Sequence, residues 1–374
     1  MARNTARALV ALVAVLMLGK VLASETLIAY WKGEWPRTDF AKRTVKLEEI
    51  ESGGPPKDGI PPIDRPRFDS VALAGKWLDP REPVIAVEID GRARAYPLSI
   101  LIWHEIANDR LGETPIAVTF CPLCNASIVF DRRVGGKELD FGTTGKLRLS
   151  DLVMYDRQTQ SWWQQFTGSG IVGRYAGTKL RTIASQIVAF DDFRAAYPQG
   201  QVLSRATGYT RPYGNNPYRG YDRIDQSPFL LTQAPDPRLP PMERVINVSA
   251  KGVHRIYPFG AFEREPVIND SVAGEPVLIL SKEGTLSVLD ASEIAEARRI
   301  PSATAFSRRL EGRTLEFTMR GGKVYDRQTD SQWSVLGHAV AGPLAGRRLA
   351  PLDSGVHFAF AWLAFNPQTE IYGR

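Results

Sequence analysis

"YDRQTQSWW", residues 155–163, returns as "YDRQTDSQW" at residues 325–333, 170 positions later. The agreement extends in both directions. Downstream, "GSGIVGRYAGTKL" (168–180) stands against "HAVAGPLAGRRL" (338–349), one residue shorter. Upstream, "GRARAYP" ending at Pro97 corresponds to "GVHRIYP" ending at Pro258. "NDRLGETPIAVTF" (108–120) corresponds to "NDSVAGEPVLILS" (269–281), both pairs at a shift of 161. Even "FRAAYP" (193–198) has its echo in "WLAFNP" (362–367). Identities in this order mark a duplicated unit of about 120 residues, far longer than a solenoid repeat.

Each unit reads the same way. A strand ending in "DG" or "KG" turn chemistry comes first, and a helix is expected over "PLSILIWHEIAND", with proline at its start. The segments "PIAVTF", "ASIVFDRR", "ELDFGTT", "LVMYDRQ" and "SWWQQF" follow as strands, on their alternation and their β-branched and aromatic content. A short helix closes each unit. The expected fold is therefore α+β and β-rich: two tandem copies of a mixed or antiparallel sheet unit, packed with pseudo-twofold symmetry like an isologous dimer fused into one chain. The expected boundaries are an N-terminal extension over 24–80, copy one over 81–205, copy two over 242–371, and a joining segment over 206–241. That segment is too rich in Gly, Pro, Asn and Arg for regular structure, and it is placed as a linker lying across one copy.

The 374 residues carry a net charge of +6, are 43% hydrophobic, and contain two cysteines and four histidines. Arg3 and Arg7 precede an apolar run from Ala8 to Gly19, and Val21-Leu22-Ala23 offers a cleavage site. This is the pattern of a secretory signal over residues 1–23; an uncleaved anchor is the lesser expectation. Without Arg3, Arg7 and Lys20 the net charge is only +3. No basic stripe with interleaved aromatics appears, so a nucleic-acid partner is not expected. The expected location is periplasmic or extracellular, where a Cys-x-x-Cys pair is oxidised unless a metal or a reductant holds it otherwise.

The duplication also acts as a filter. What both copies keep serves the fold; what one copy holds alone is a candidate for chemistry. The Asp156 turn and Trp163 are kept, and they read as an Asx-type turn and a core tryptophan. Copy one alone has Cys121 and Cys124, which face Lys282 and Thr285, and His104-Glu105, which face Glu265-Pro266. It alone has 13 residues between Phe141 and Tyr155, where Phe317 and Tyr325 enclose seven, and the surplus is expected as a longer loop. "NASIVFD" after Cys124 reads as a strand, so "CPLC" is a tight turn between strands and not the helix-opening pair of thioredoxin. Such a turn resembles the knuckles that present two thiolates to a metal, although the bland alternative is a small disulfide clamping a hairpin.

The motifs "YPLSILIWHEIAND", "CPLC" and "MYDRQTQSWW" resemble the prokaryotic domain-of-unknown-function family 3179 over roughly residues 80–372. The resemblance implies an exported protein without an established activity. It carries over onto His104, Asn108, Asp109, Cys121, Cys124, Asp156, Ser161 and Trp163. Members usually have Gly after the second cysteine; Asn125 stands there and also tolerates a left-handed backbone.

Three functional classes stay open on the sequence, and with them whether the chain is an enzyme. The leading one is a thiol protein, redox-active or holding Cu(I) or Zn(II). Cys121 and Cys124 would be its reactive pair or ligands, His104 its base or third ligand, and a periplasmic thiol or metal partner its counterpart. The second is a hydrolase or transferase with Cys121 as nucleophile and His104 as base, oriented by Glu105 or Asp109. The third is a cell-envelope binding module using the Tyr- and Arg-rich segment 209–223.

Overall fold

The computed structural model describes residues 24–373; the expected signal segment lies outside them. The chain is β-rich, with several sheets and short helices. Nearly all strand pairs are antiparallel, the exceptions being Gln201–Leu203 beside Arg92–Pro97 and Glu370–Ile371 beside Val253–Pro258. Those two exceptions occupy equivalent places in the two halves.

The correspondence holds strand by strand. The first half sets Ser185–Ala189, Pro83–Ile89, Arg92–Pro97 and Gln201–Leu203 side by side; the second sets Val356–Phe358, Arg244–Ala250, Val253–Pro258 and Glu370–Ile371 in the same order. Ile106–Leu111, Thr114–Cys121 and Ala126–Asp131 match Val267–Val272, Glu275–Leu286 and Arg299–Ser307. The meander Phe141–Arg148, Asp151–Asp156, Trp162–Gln164, Ser169–Val172 matches Phe317–Arg320, Lys323–Asp326, Gln332–Trp333, Ala339–Ala341. The closing helices Phe190–Ala196 and Ala359–Phe365 stop at Tyr197 and Asn366 with nearly the same backbone, φ −132° and −134°. One apolar cluster draws on both halves, joining Phe120 and Phe130 to Val245, Phe358 and Leu363.

The repeated turn explains why this order recurs. The Asp156 carboxylate, fully buried, accepts hydrogen bonds from the Thr159 amide (2.6 Å), the Thr159 hydroxyl and Trp163 Nε1 (3.0 Å). Asp326 accepts the same three from Thr329 and Trp333. Held this way, each tryptophan meets the phenylalanine two strands away edge to face, Trp163 on Phe141 and Trp333 on Phe317.

Two expectations need correction. The helix over "PLSILIWHEIAND" is only one turn, Leu98–Leu101. "IAND" belongs to the strand Ile106–Leu111, whose residues pair with Thr114–Cys121. The apolar run is compatible with either period, and the strand partner decides it. The extra residues of copy one are not a loose loop either. They lengthen a hairpin that turns at Leu149-Ser150, both in left-handed backbone, where the second half turns earlier at Gly321-Gly322.

The extension laces onto the first half. Ile50–Ser52 adds an edge strand to the long hairpin, Phe68–Ser70 adds one beside Gln201–Leu203, and Trp31, Trp35 and Phe40 pack on Trp162. Gly145 sits in the bulge of the long hairpin at φ +69°, and a Cβ there would overlap the Pro55 carbonyl. Asp326→Ala removes the acceptor of the buried Trp333 Nε1 and of the half-buried Thr329 amide and hydroxyl, and is expected to lower stability by about 2 kcal/mol or more. Gly145→Ala is expected to destabilise as well, by dislodging residues 53–60. Urea unfolding of both variants checks this, and a loss below about 1 kcal/mol for Asp326→Ala would contradict it.

Candidate functional site

The two cysteines lie where the copies diverge. Thr114–Cys121 and Ala126–Asp131 form a hairpin whose turn is Pro122-Leu123-Cys124-Asn125, with Asn125 at φ 49° as its chemistry allows. In the second half the equivalent strands stay paired further, out to Leu286 and Arg299, and the short turn is replaced by an excursion over residues 287–298. Both cysteines are buried and unbridged. The Cys124 carbonyl accepts from the Phe358 amide (2.9 Å), so the thiol turn is anchored to a strand of the second half.

The third member of the cluster is Asp151. One ligand atom from each of Cys121, Cys124 and Asp151 lies within 4.8 Å of the others, and all three residues are buried. Asp151 Oδ2 accepts from Gln164 Nε2 (2.6 Å) and from the Phe166 amide (2.9 Å). Oδ1 is buried without an N–H or O–H donor, and the donors left to the carboxyl are the two thiols. Asp151 sits just after the lengthened turn, in the stretch that only the first half possesses. Sequence reading passed over it, although the surplus of residues before Tyr155 was the signal that could have found it.

Glu105 completes the acidic group. Its backbone is left-handed, φ 58°, pinned by its amide on the Leu101 carbonyl (2.7 Å) and its carbonyl on the Phe120 amide (2.8 Å). The residue is buried, and it lines a cavity of about 590 Å³ with Leu123 and Leu152, neighbours of Cys124 and Asp151. Among the described residues neither Glu105 nor Asp151 forms an ion pair. Burial raises the Glu105 carboxyl to about 8, and the Asp151 charge adds to this. Burial likewise raises Asp151 to about 7 and lifts both thiols above their ordinary range.

His104 does not join this group. Its Nδ1 meets the Pro61 carbonyl at 2.7 Å and its Nε2 meets the Tyr213 hydroxyl at 2.6 Å. Nδ1 must donate to a carbonyl, so Nε2 accepts from Tyr213, and burial holds the ring neutral, with its pKa down to about 4. With both nitrogens engaged by the extension and the linker, His104 offers neither a base nor a ligand to the thiols. Asp109 does not orient it: Asp109 Oδ2 accepts from Arg94 (2.6 Å) and Tyr96 (2.5 Å). Asp270 repeats that pattern with Arg255 and Tyr257.

The same comparison sorts the remaining motif residues. Asn108 clamps both backbone groups of Phe141, as Asn269 clamps Phe317. Ser161 accepts from the Tyr175 amide, as Ser331 accepts from Leu344. Asn108, Asp109, Asp156, Ser161 and Trp163 therefore keep their partners in a half that has no cysteine, which is the behaviour of scaffold.

The linker supplies what sequence reading could not place. Asn215 bridges to Glu293, the Asn216 amide donates to the Ser292 carbonyl, and the Gly220 amide donates to Asp290, all on the excursion of the second half. Pinned there and at His104 through Tyr213, the linker lays Tyr218 and Tyr221 against the core cluster that contains both cysteines. The segment 209–223 thus turns three of its tyrosines inward, while Tyr209, Arg219 and Arg223 stay exposed.

The family described as "Protein of unknown function (DUF3179)" matches residues 57–369. No curated protein and no solved structure matches the chain. Among the described residues no helix is long and apolar enough to cross a membrane.

The raised carboxyls give a definite pH response. The folded state holds the Glu105 proton more tightly than an unfolded chain does, so the stability it contributes is present below about 4.5 and is lost as pH rises through about 8. Glu105→Gln, which cannot ionise, is therefore expected to gain stability relative to the unsubstituted protein as pH rises across that window. Thermal unfolding of metal-free samples between those limits tests it; parallel curves for the two proteins would refute it.

Proposed function

We propose that this chain, which belongs to the DUF3179 family, is a metal-binding protein that holds a thiophilic ion through Cys121, Cys124 and Asp151. The observation that carries the reading is the Asp151 carboxyl: buried, without a cation, and with only the two thiols as donors for its Oδ1 side. A buried acid in that position costs free energy unless something positive balances it. Three acidic donors converging within 4.8 Å are a fitting set for Zn(II), which takes thiolate and carboxylate together. Cu(I), which prefers sulfur, suits the set less well. A bound ion also answers the raised thiol pKa values, because coordination removes the thiol protons outright.

A redox pair is the second reading, favoured by the closeness of the two sulfurs and by a carboxylate near pKa 7 that could take a proton. Against it stands the absence, among the described residues, of any cation or helix N-terminus beside the pair to stabilise a thiolate. Export fits either reading. It rests on the basic start and apolar run of residues 1–23, and in an oxidising compartment a bound metal would keep the pair from bridging.

The test is stoichiometry. Full-length protein purified without oxidant is expected to retain about one zinc per chain. Cobalt substitution is expected to give thiolate-to-metal absorption. Asp151→Asn should weaken binding about tenfold or more, and Cys124→Ser should abolish it. Because two protons leave on binding, affinity should rise with pH. Reduced protein that takes up neither zinc nor copper, yet whose cysteines cycle reversibly with a dithiol, would replace the metal reading with the redox one.

A further inference from the structure

The cavity above the thiol turn is not accounted for by a metal held between Cys121, Cys124 and Asp151. Its volume of about 590 Å³ is that of a small-molecule site, and most of its wall is apolar or aromatic: Ile60, Leu123, Leu152, Tyr218, Tyr221 and the exposed Phe229. Into this wall projects one acid, Glu105. The residue is buried, 7% exposed, and its carboxyl has no hydrogen-bond or ion-pair partner among the described residues.

The arrangement looks built for a cation. The left-handed backbone of Glu105 is an uncommon conformation for this residue, and two backbone hydrogen bonds hold it. Near it lie Asp151, whose charge acts on Glu105, and the neutral Cys121 thiol, neither of which supplies a positive charge. The single basic side chain on the cavity wall, Lys146, is committed elsewhere: its Nζ lies 3.7 Å from Glu34 and over the rings of Trp31, Trp35 and Trp162. Thr143 and Gln226 on the wall are uncharged, and Tyr218 and Tyr221 are aromatic walls whose hydroxyls burial keeps protonated. Aromatic faces and an unpaired carboxyl are the two groups that recognise an ammonium out of water.

We propose that this cavity binds a small apolar amine, its ammonium group paired with Glu105 between Tyr218 and Tyr221 and its hydrocarbon part against Leu123, Leu152 and Phe229. The amine supplies the cation that the protein withholds from Glu105. It does so without involving the thiols, so the site stands whether or not a metal occupies them.

The experiment uses the full chain and three matched six-carbon probes, hexylamine, hexanol and hexanoate, followed by calorimetric titration at neutral pH. Hexylamine is expected to bind at least about tenfold more tightly than hexanol, and hexanoate not at all. Glu105→Gln, close in shape to the native side chain, should remove the preference for the amine while leaving zinc uptake as before. Tyr218→Phe should retain amine binding, and Tyr218→Leu should weaken it. Hexanol binding as tightly as hexylamine, unchanged amine affinity in Glu105→Gln, or no binding of any probe would overturn the proposal. Loss of zinc uptake with amine binding intact would instead count against the metal reading alone.

Discussion

The caged carboxylate of the repeated turn is the constraint on which the rest of the architecture hangs. Asp156 and Asp326 are fully buried, and each is surrounded by three donors from the seven residues that follow it. A carboxylate out of water is tolerable only when its lone pairs are filled, so the turn has one acceptable backbone path. That path aims a tryptophan at a phenylalanine two strands away and sets the register of the meander in each half.

Against this shared frame, the departures of the first half stand out as a group. The hairpin turn that carries Cys121 and Cys124, the lengthened strands that bring Asp151 to them, and the left-handed Glu105 all occur where the second half has something else. The second half contributes in another way. Its strand Val356–Phe358 anchors the thiol turn at Cys124, and its excursion over 287–298 holds the linker that covers the turn. The half without cysteines is therefore part of the wall of the site.

The electrostatics of that site run against ordinary core design. Several buried acids elsewhere have guanidinium partners, Asp109 with Arg94 and Asp222 with Arg244 and Arg298, while Asp156 and Asp326 have three neutral donors each. At Glu105 and Asp151 no cation is provided, and both carboxyls are pushed toward the neutral form. Two carboxyls without a cation beside two thiols are the electrostatic feature on which the proposed metal and amine sites rest.

How much of this was legible beforehand follows from the range of the interactions. The duplication, the β-rich α+β class, the Asx-type turn and the "CPLC" hairpin are local: they rest on identities in order, alternation and turn chemistry within a few residues, and the sequence alone determined them. The short run "PLSILIWHEIAND" was misjudged because an apolar stretch of that length suits a helix or a buried strand, and its partner Thr114–Cys121 made the choice. His104 was drawn to the cysteines by being unique to one copy. Only the folded chain shows Pro61 and Tyr213, from two segments far away in sequence, occupying both of its nitrogens. Asp151, Tyr218 and Tyr221 reach the thiol turn through a long hairpin and a pinned linker. Such contacts depend on where strands cross in space, which no periodicity in the chain encodes, so tertiary structure alone decided the composition of the site.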